Sequence, residues 1–395
     1  MRGHNVNFIW EPDPTLHAPP RYKRGCRYDA FVPDLLEDLP LLAPAVAGAI
    51  SAAEEAIHQL NTVAQPGLQP LARLLLRTEA IASSKVEGMQ ASAQTLARDE
   101  AKSDLGFPIS IGSVEILANV DAMQLAIDDA TEVETLTLDG ILDTHRALMA
   151  RTISAGRVAG VIRDQQNWIG GNDYNPCGAS FVPPPPEHIE RLLADLVRFC
   201  NDESLPPLAQ AALAHAQFET IHPFIDGNGR TGRALVQVIL RRRGLAPDYV
   251  PPISVVLAAD KSRYIEGLVA FREGREDEWL ETFALASTRA AELAASYLVE
   301  VQKLQDVWRE SLTAQGIRAD SVAWPIIDLL PAHPIISGPV VGAALGRTKM
   351  AVNRAIAQLV AAGVLTPLSE SKRNRQWEAV GLLDLSAELE TLGPR

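Results

Sequence analysis

Apolar residues return every three or four positions through most of this chain, and those stretches predict helices. They run from Leu35 to Ala56, Leu71 to Gly88, Ser113 to Ala130, Glu187 to Cys200 and Leu208 to Thr220. A further helix begins near Arg230 and carries Ala234 to Leu240, ended by Arg241-Arg242-Arg243 and Gly244. Helices continue from Leu257 to about Gln315, with starts at Asp260 and Asp277 and a long run from Tyr297 to Leu312. Gln65-Pro66-Gly67 is a turn between two of the early helices. The period fails in two places. Residues 1 to about 30 hold Trp10, four prolines and scattered charges, which predicts an arm lying over the body. Residues 155 to 171 combine glycines with Val, Ile and Trp, which predicts a short β-hairpin. Pro183 to Pro186 form a stiff extended link.

The last part has a different grammar. Trp324 to Leu330 is a short apolar helix closed by Pro331. Ser337 caps a helix through Leu345, Gly346-Arg347 makes a turn, and Thr348 caps a second helix from Lys349 to Ala362 that Gly363 ends. Val364–Leu368 and Gln376–Val380 then flank the polar turn Ser371 to Arg375. Two helices, a tight turn and a β-hairpin resemble a winged helix-turn-helix.

Composition changes this picture little. With 395 residues, 47% apolar and 22% charged, the chain suits two or three globular domains. A net charge of −13 argues against coating nucleic acid or anionic membrane over the whole surface. Residues 337 to 380 go against that balance. They hold Arg347, Lys349, Arg354, Lys372, Arg373 and Arg375 against Glu370 and Glu378, a local net of +4. Lys349, Asn353 and Arg354 lie near the start of the second helix, and Arg373 and Arg375 on the wing, so DNA is one expected partner. A protein-docking or dimerisation module is the other. Cys26, Cys177 and Cys200 show no metal or CxxC spacing and read as reduced thiols of a cytoplasmic protein. No apolar signal core and no run of about 18 apolar residues is present, so no membrane partner is expected.

The candidate chemistry is concentrated in Ile221-His222-Pro223-Phe224-Ile225-Asp226-Gly227-Asn228-Gly229-Arg230-Thr231-Gly232-Arg233. Pro223 and Gly227-Asn228-Gly229 break the helical period, so this is a tight loop between two helices. Backbone amides of the loop and the positive end of the next helix then converge on one point, an anion site suited to phosphate. His222 can take a proton near neutral pH. Asp226 is a hard oxygen ligand for a magnesium ion held mainly by substrate phosphates. Arg230 and Arg233 can neutralise phosphate oxygens bidentately. Phe224 is the apolar residue that pins the loop. His215, two turns before His222, lacks metal-pair spacing and reads as a packing or hydrogen-bonding residue.

The stretch resembles the signature of the Fic family, His-x-Phe-x-Asp-Gly-Asn-Gly-Arg-x-x-Arg, at every fixed position. The resemblance implies a mainly α fold: a Fic-type helical core with a short β-hairpin flap, an N-terminal helical region and the C-terminal winged helix-turn-helix. The corresponding divisions are residues 1–130, 131–290 and 291–395. It implies a protein adenylyltransferase that moves AMP from ATP to a Ser, Thr or Tyr hydroxyl of a target protein or of itself. His222 would be the base, Asp226 the Mg2+ ligand, and Phe224, Gly227, Asn228, Gly229, Arg230 and Arg233 the ATP and phosphate site. Ser83, Glu87 and Gly88 match a shorter family pattern, Ser-x-x-x-Glu-Gly, whose glutamate pairs with the second signature arginine, here Arg233, and displaces the γ-phosphate. Val161, Ile162, Arg163, Asn167 and Trp168 would form the flap that presents an edge strand to the target.

Other outcomes stay open. Members of the family use other donors, or remove AMP with the same site. From a different class, a nucleotide-sensing transcription regulator would bind ATP in the core and DNA through the C-terminal module. A homodimer is also expected to be compatible with either.

Overall fold

The structure is a computed structural model that describes residues 3–15, 17–36, 42–62, 69–132, 134–152, 155–368 and 374–391. Gln65, Pro66 and Gly67 of the expected turn, and Glu370, Ser371, Lys372 and Arg373 of the expected wing, lie outside the described residues. The fold is mainly helical with small antiparallel sheets. The order is β1 (Gly3–Trp10), β2 (Cys26–Pro33), α1 (Pro44–Thr62), α2 (Gln69–Val86), α3 (Ala93–Asp104), α4 (Ile111–Glu132), α5 (Leu138–Met149) and a one-turn α6 (Ala155–Val158). Then come α7 (Pro186–Cys200), α8 (Pro207–Ile221), α9 (Asn228–Arg242), α10 (Ile253–Ala259), α11 (Lys261–Arg272) and α12 (Glu276–Ala314). The chain ends with α13 (Ala323–Leu329), β3 (Ile335–Ser337), α14 (Gly338–Leu345), α15 (Lys349–Ala361), β4 (Leu365–Pro367), β5 (Gln376–Ala379) and α16 (Leu382–Thr391).

Two compact units emerge, each drawn from several stretches: residues 1–54, 125–245 and 262–285, and residues 55–124, 246–261 and 286–395. The first is built around α8 and α9. Almost every residue of α8, and every residue of α9 from Asn228 to Leu240, is buried, as in a helix surrounded by protein on all sides. On α7, Ile189, Leu192, Leu193, Leu196, Phe199 and Cys200 form a single buried stripe, and Pro186 sits in the first turn where a missing N–H costs nothing. His215 is fully buried, 3.0 Å from the Tyr264 hydroxyl and among the rings of Tyr264, Trp279 and Phe283, the packing role its spacing suggests.

Residues 3 to 33 depart from the expected arm. β1 and β2 pair antiparallel from Gly3↔Pro33 to Trp10↔Cys26, and Phe8 stacks on Tyr28. The signal was a short alternation, Val6, Phe8 and Trp10 half-buried between exposed neighbours, too brief to stand out beside the prolines that follow. Cys26 is joined to Cys177 by a disulfide across 151 residues, so two of the three cysteines are not free thiols. The cysteines therefore give no ground for a reducing compartment. Cys200 is free, and burial pushes its thiol up to about 12.

In the second unit, Ile81 of α2, Leu96 of α3 and Ile116 and Leu117 of α4 share one apolar cluster. Ala97 and Ala101 of α3 pack with Ile335 and Leu383 in another. The side chains of Ser337 and Thr348 cap α14 and α15 at Val340 and Ala351, as expected, and Gly346 turns between them at φ +60°. A strand missing from the sequence reading, β3, completes a sheet in the order β3-β5-β4. With no Gly or Pro in residues 276–314, α12 runs 39 residues and takes in the long run expected from Tyr297 to Leu312. No helix among the described residues is long and apolar enough to cross a membrane.

Candidate active site

α8 stops at Ile221 because His222 leaves the helix in the left-handed region, φ 50° and ψ 60°, while its N–H still bonds Phe218 O at 2.9 Å. For a side chain with a Cβ this conformation costs on the order of 1 kcal/mol or more, and the surroundings must enforce it. They do so through carbonyls. The guanidinium of Arg163 donates to His222 O (2.9 Å), Gln165 O (3.0 Å) and Pro184 O (2.6 Å), and its backbone N–H donates to Pro223 O at 3.0 Å. Asn167 Nδ2 donates to Phe224 O at 2.9 Å. The Asn228 side chain closes the turn, accepting from Phe224 N and donating to Phe224 O, both at 2.8 Å.

Beneath the loop, Phe224 is fully buried and lies flat on the His145 ring, centroids 3.6 Å apart. His145 was not singled out from the sequence. Its Nδ1 accepts the Gly160 N–H at 2.9 Å, so the proton sits on Nε2, which donates to Asp226 O at 2.9 Å. Burial holds this imidazole neutral, its pKa pulled down to about 4. It had only one sequence-level sign, a His on the apolar stripe of α5 with Ile141 and Leu148.

Gly227 makes the entry to α9. Its φ is +80°, and a Cβ there would meet His145 Nε2, Leu148 Cδ2 and Met149 Sδ, each at 3.2 Å. The helix accordingly starts at Asn228, two residues earlier than expected, and the first-turn amides of Asn228, Gly229 and Arg230 face its open end. Arg230 is 2% exposed. Its Nη2 lies 3.6 Å from Asp226 Oδ1, whereas Nε and Nη1 are buried with no hydrogen-bond partner among the described residues. Burying a guanidinium with two unused donors is costly unless an anion completes it. Arg233, one turn on, is equally buried. His222 keeps its side chain 18% exposed, with Nδ1 3.8 Å from Glu219 Oε2.

Asp226 exposes 64% of its side chain, and its Oδ1 accepts the Gly227 N–H at 2.6 Å. Among the described residues no group of three or more His, Cys, Asp or Glu could hold a metal by itself. A lone exposed carboxylate beside an anion site fits a magnesium ion that takes most of its oxygens from phosphate and water.

The expected flap takes another form. In place of a hairpin within 155–171, residues 155–158 form α6, and an isolated antiparallel bridge pairs Ile169 with Phe181. Gly170 and Gly171, at φ +75° and +78°, send the chain into a wider excursion before it returns. Val161 is exposed and Ile162 half-buried. Arg163 and Asn167, expected to face a target, turn inward as braces of the signature loop. Trp168 donates to Asn172 O at 2.6 Å and packs edge-on against Trp10. Phe224, grouped by resemblance with nucleotide binding, is an anchor with no exposed surface.

Ser83 is fully buried on α2, which ends at Val86. Glu87 follows, exposed, in a turn that Gly88 closes at φ +85°. Gly88 N donates to Lys85 O and Met89 N to Ser84 O, the hydrogen-bond pattern of a glycine-terminated helix. Lys261 Nζ donates to Val86 O at 2.5 Å and fixes this end.

Residues 135–240 match the model of the Fic/DOC family, and residues 47–128 that of the Fic/DOC family N-terminal region. Protein adenylyltransferase fic-1 of Caenorhabditis briggsae is 37% identical over 125 residues, 30% of this chain and 22% of that protein. Protein adenylyltransferase Fic of Drosophila erecta is 30% identical over 194 residues, 47% of this chain and 36% of that protein. The chain thus spans well under half the length of these curated relatives. Among solved structures, a Fic family protein from Desulfovibrio desulfuricans G20 aligns with TM-score 0.51 at 19% identity, over 87% of this chain and 98% of that chain. Fic-1 from C. elegans aligns with TM-score 0.51 at 22% identity, over 65% and 73%. At these identities the structures speak for the fold.

Proposed function

For a chain that carries a Fic/DOC family domain behind its N-terminal companion region, we propose the activity of a protein adenylyltransferase, acting on a target protein or on itself. The observation that carries the proposal is Arg230: a buried guanidinium with two unspent donors at the open end of α9, beside an exposed carboxylate and a histidine held in a strained conformation.

ATP is the proposed substrate. Its phosphates would lie against the first-turn amides of α9, Arg230 and Arg233. His222 would take the proton of a Ser, Thr or Tyr hydroxyl; with Nδ1 on the side of Glu219, Nε2 is the nitrogen for this step. The hydroxyl oxygen bonds to the α-phosphorus, the bond to the bridging oxygen breaks, and pyrophosphate leaves. The loop amides stabilise charge on the phosphoryl oxygens without reorganising, because Asn228, Asn167, Arg163 and His145 already fix them. Magnesium, held by Asp226 and the phosphates, would neutralise charge as it builds on the leaving group. Glu87 is proposed as the brake, and the segment at exposed Val161 as the place where a target segment is received. A homodimer, and nucleic acid as a partner of residues 337–380, belong to the proposal outside this site.

Incorporation of α-labelled ATP into purified protein and lysate tests the reading. Labelling by Glu87→Gly protein, weak in the wild type and absent from Glu87→Gly with His222→Ala, is the expected result. Absence of label in all three with ATP binding intact would overturn it.

A further inference from the structure

The C-terminal module of the second unit has a face that the catalytic reading does not use. On α15, Lys349, Met350, Asn353 and Arg354 are exposed, Met350 to 82%, while Val352, Ala355, Ile356 and Leu359 are buried. Residues 349 and 353, and 350 and 354, are four apart, so the exposed set shares one face of the helix near its N-terminus. The whole helix, Lys349 to Ala361, contains no acidic residue, in a chain of net charge −13. Beside it lies a cleft of about 940 Å³ with Arg347, Lys349, Asn353 and Arg375 among its lining residues. Arg375 sits over the Trp377 ring at 5.0 Å, which holds its guanidinium at the base of the β4–β5 hairpin. The one acidic side chain described between 337 and 380, Glu378, is paired with Arg98 at 3.5 Å and exposes only 17% of its side chain.

We propose that this face binds duplex DNA, with α15 entering the major groove and Arg347 and Arg375 holding the flanking phosphates. The element order agrees: α13, β3, α14, a turn at Gly346, α15, then β4 and β5, with the second helix of the turn presenting its N-terminal half. So does the chemistry. Lys349 and Arg354 reach for phosphate, and the Asn353 amide can pair with an adenine edge. A protein partner would need an apolar patch at the centre of the face. On the exposed face of α15 the large apolar side chain is Met350, beside cations and an amide; of the apolar residues lining the cleft, Ile356 and Trp377 are buried and Leu105 and Val360 half-buried. This deepens the nucleic-acid reading of residues 337–380, on which it rests, and is independent of the catalytic one.

The test is fluorescence anisotropy with the full chain and labelled random-sequence duplexes of about 30 base pairs, titrated at several salt concentrations. The wild type should bind, with affinity falling as salt rises. Lys349→Ala with Arg354→Ala should weaken binding at least tenfold and lower the log–log salt slope by about 2. Asn353→Ala should leave that slope unchanged and flatten the preference recovered from the random pool. Circular dichroism melting accompanies each variant, and Lys349→Gln with Arg354→Gln replaces the alanine pair if melting falls. ATP labelling in the Glu87→Gly background should be the same with and without the pair. Failure of the wild type to bind at the lowest salt, equal binding by the paired variant, or tighter binding to single-stranded RNA of the same length would each overturn the proposal.

Discussion

His145 Nε2 holds the backbone carbonyl of Asp226 at 2.9 Å, although 81 residues separate them. Through its other nitrogen the same ring holds Gly160. One neutral imidazole thereby fixes the signature loop to the segment that follows α6. It does so by position, and its removal should loosen the loop while leaving His222, Arg230 and Arg233 in the chain.

The charge state of His145 links stability to pH. Its pKa in the fold is about 4, below the value of about 6.5 for an unfolded chain, because burial disfavours the charged ring. The unfolded chain therefore takes up this proton first as pH falls. Stability from this group is intact above about pH 6.5, is lost progressively toward pH 4, and changes no further below that. The full loss is roughly 3 kcal/mol. Urea denaturation at pH 7 and pH 4.5 should show a larger drop for wild type than for His145→Gln.

Arg230 should matter through geometry as well as charge. A lysine in its place keeps the cation and loses the planar pair of donors. In the Glu87→Gly background, Arg230→Lys should weaken ATP binding by about tenfold or more, in line with roughly 1.5–3 kcal/mol for a charged hydrogen bond. Calorimetric titration with ATP measures it. Equal affinity would place the phosphates elsewhere.

Gly227 answers to two constraints at once. Its positive φ strains any L side chain, and a Cβ would press on His145, Leu148 and Met149. Gly227→Ala should lower stability by about 1–3 kcal/mol and displace the start of α9. A reduced melting temperature together with weaker ATP binding is the expected outcome. A control at Gly48, inside α1 where a Cβ meets nothing within 4 Å, should leave ATP binding unchanged and raise stability by up to about 1 kcal/mol.

Thiol chemistry provides a fourth check. Cys26 and Cys177 form a disulfide and Cys200 is buried with a high pKa. Under denaturing conditions without reductant, one cysteine should be alkylated, and three after reduction, as read by intact mass. Three alkylated cysteines without reductant would show the pair unformed.

What the sequence determined by itself is local. The loop between α8 and α9 was legible because Pro223 and the glycines cannot continue a helix, and caps such as Ser337 and Thr348 were legible because a hydroxyl bonds an amide three residues away. The helical periods located the buried helices of the core for the same reason: burial of a regular element repeats with that element. Tertiary structure decided what joins distant stretches. The β1–β2 pairing, the Cys26–Cys177 bond, the inward turn of Arg163 and the His145–Asp226 contact link positions whose surfaces meet only after the helices have packed. None has a fixed spacing, since the partner of a buried donor is set by which carbonyl the fold delivers to it. Hence the candidate reactive groups and their anchor Phe224 could be named from the sequence, while the bracing roles of His145, Arg163 and Asn167 could not.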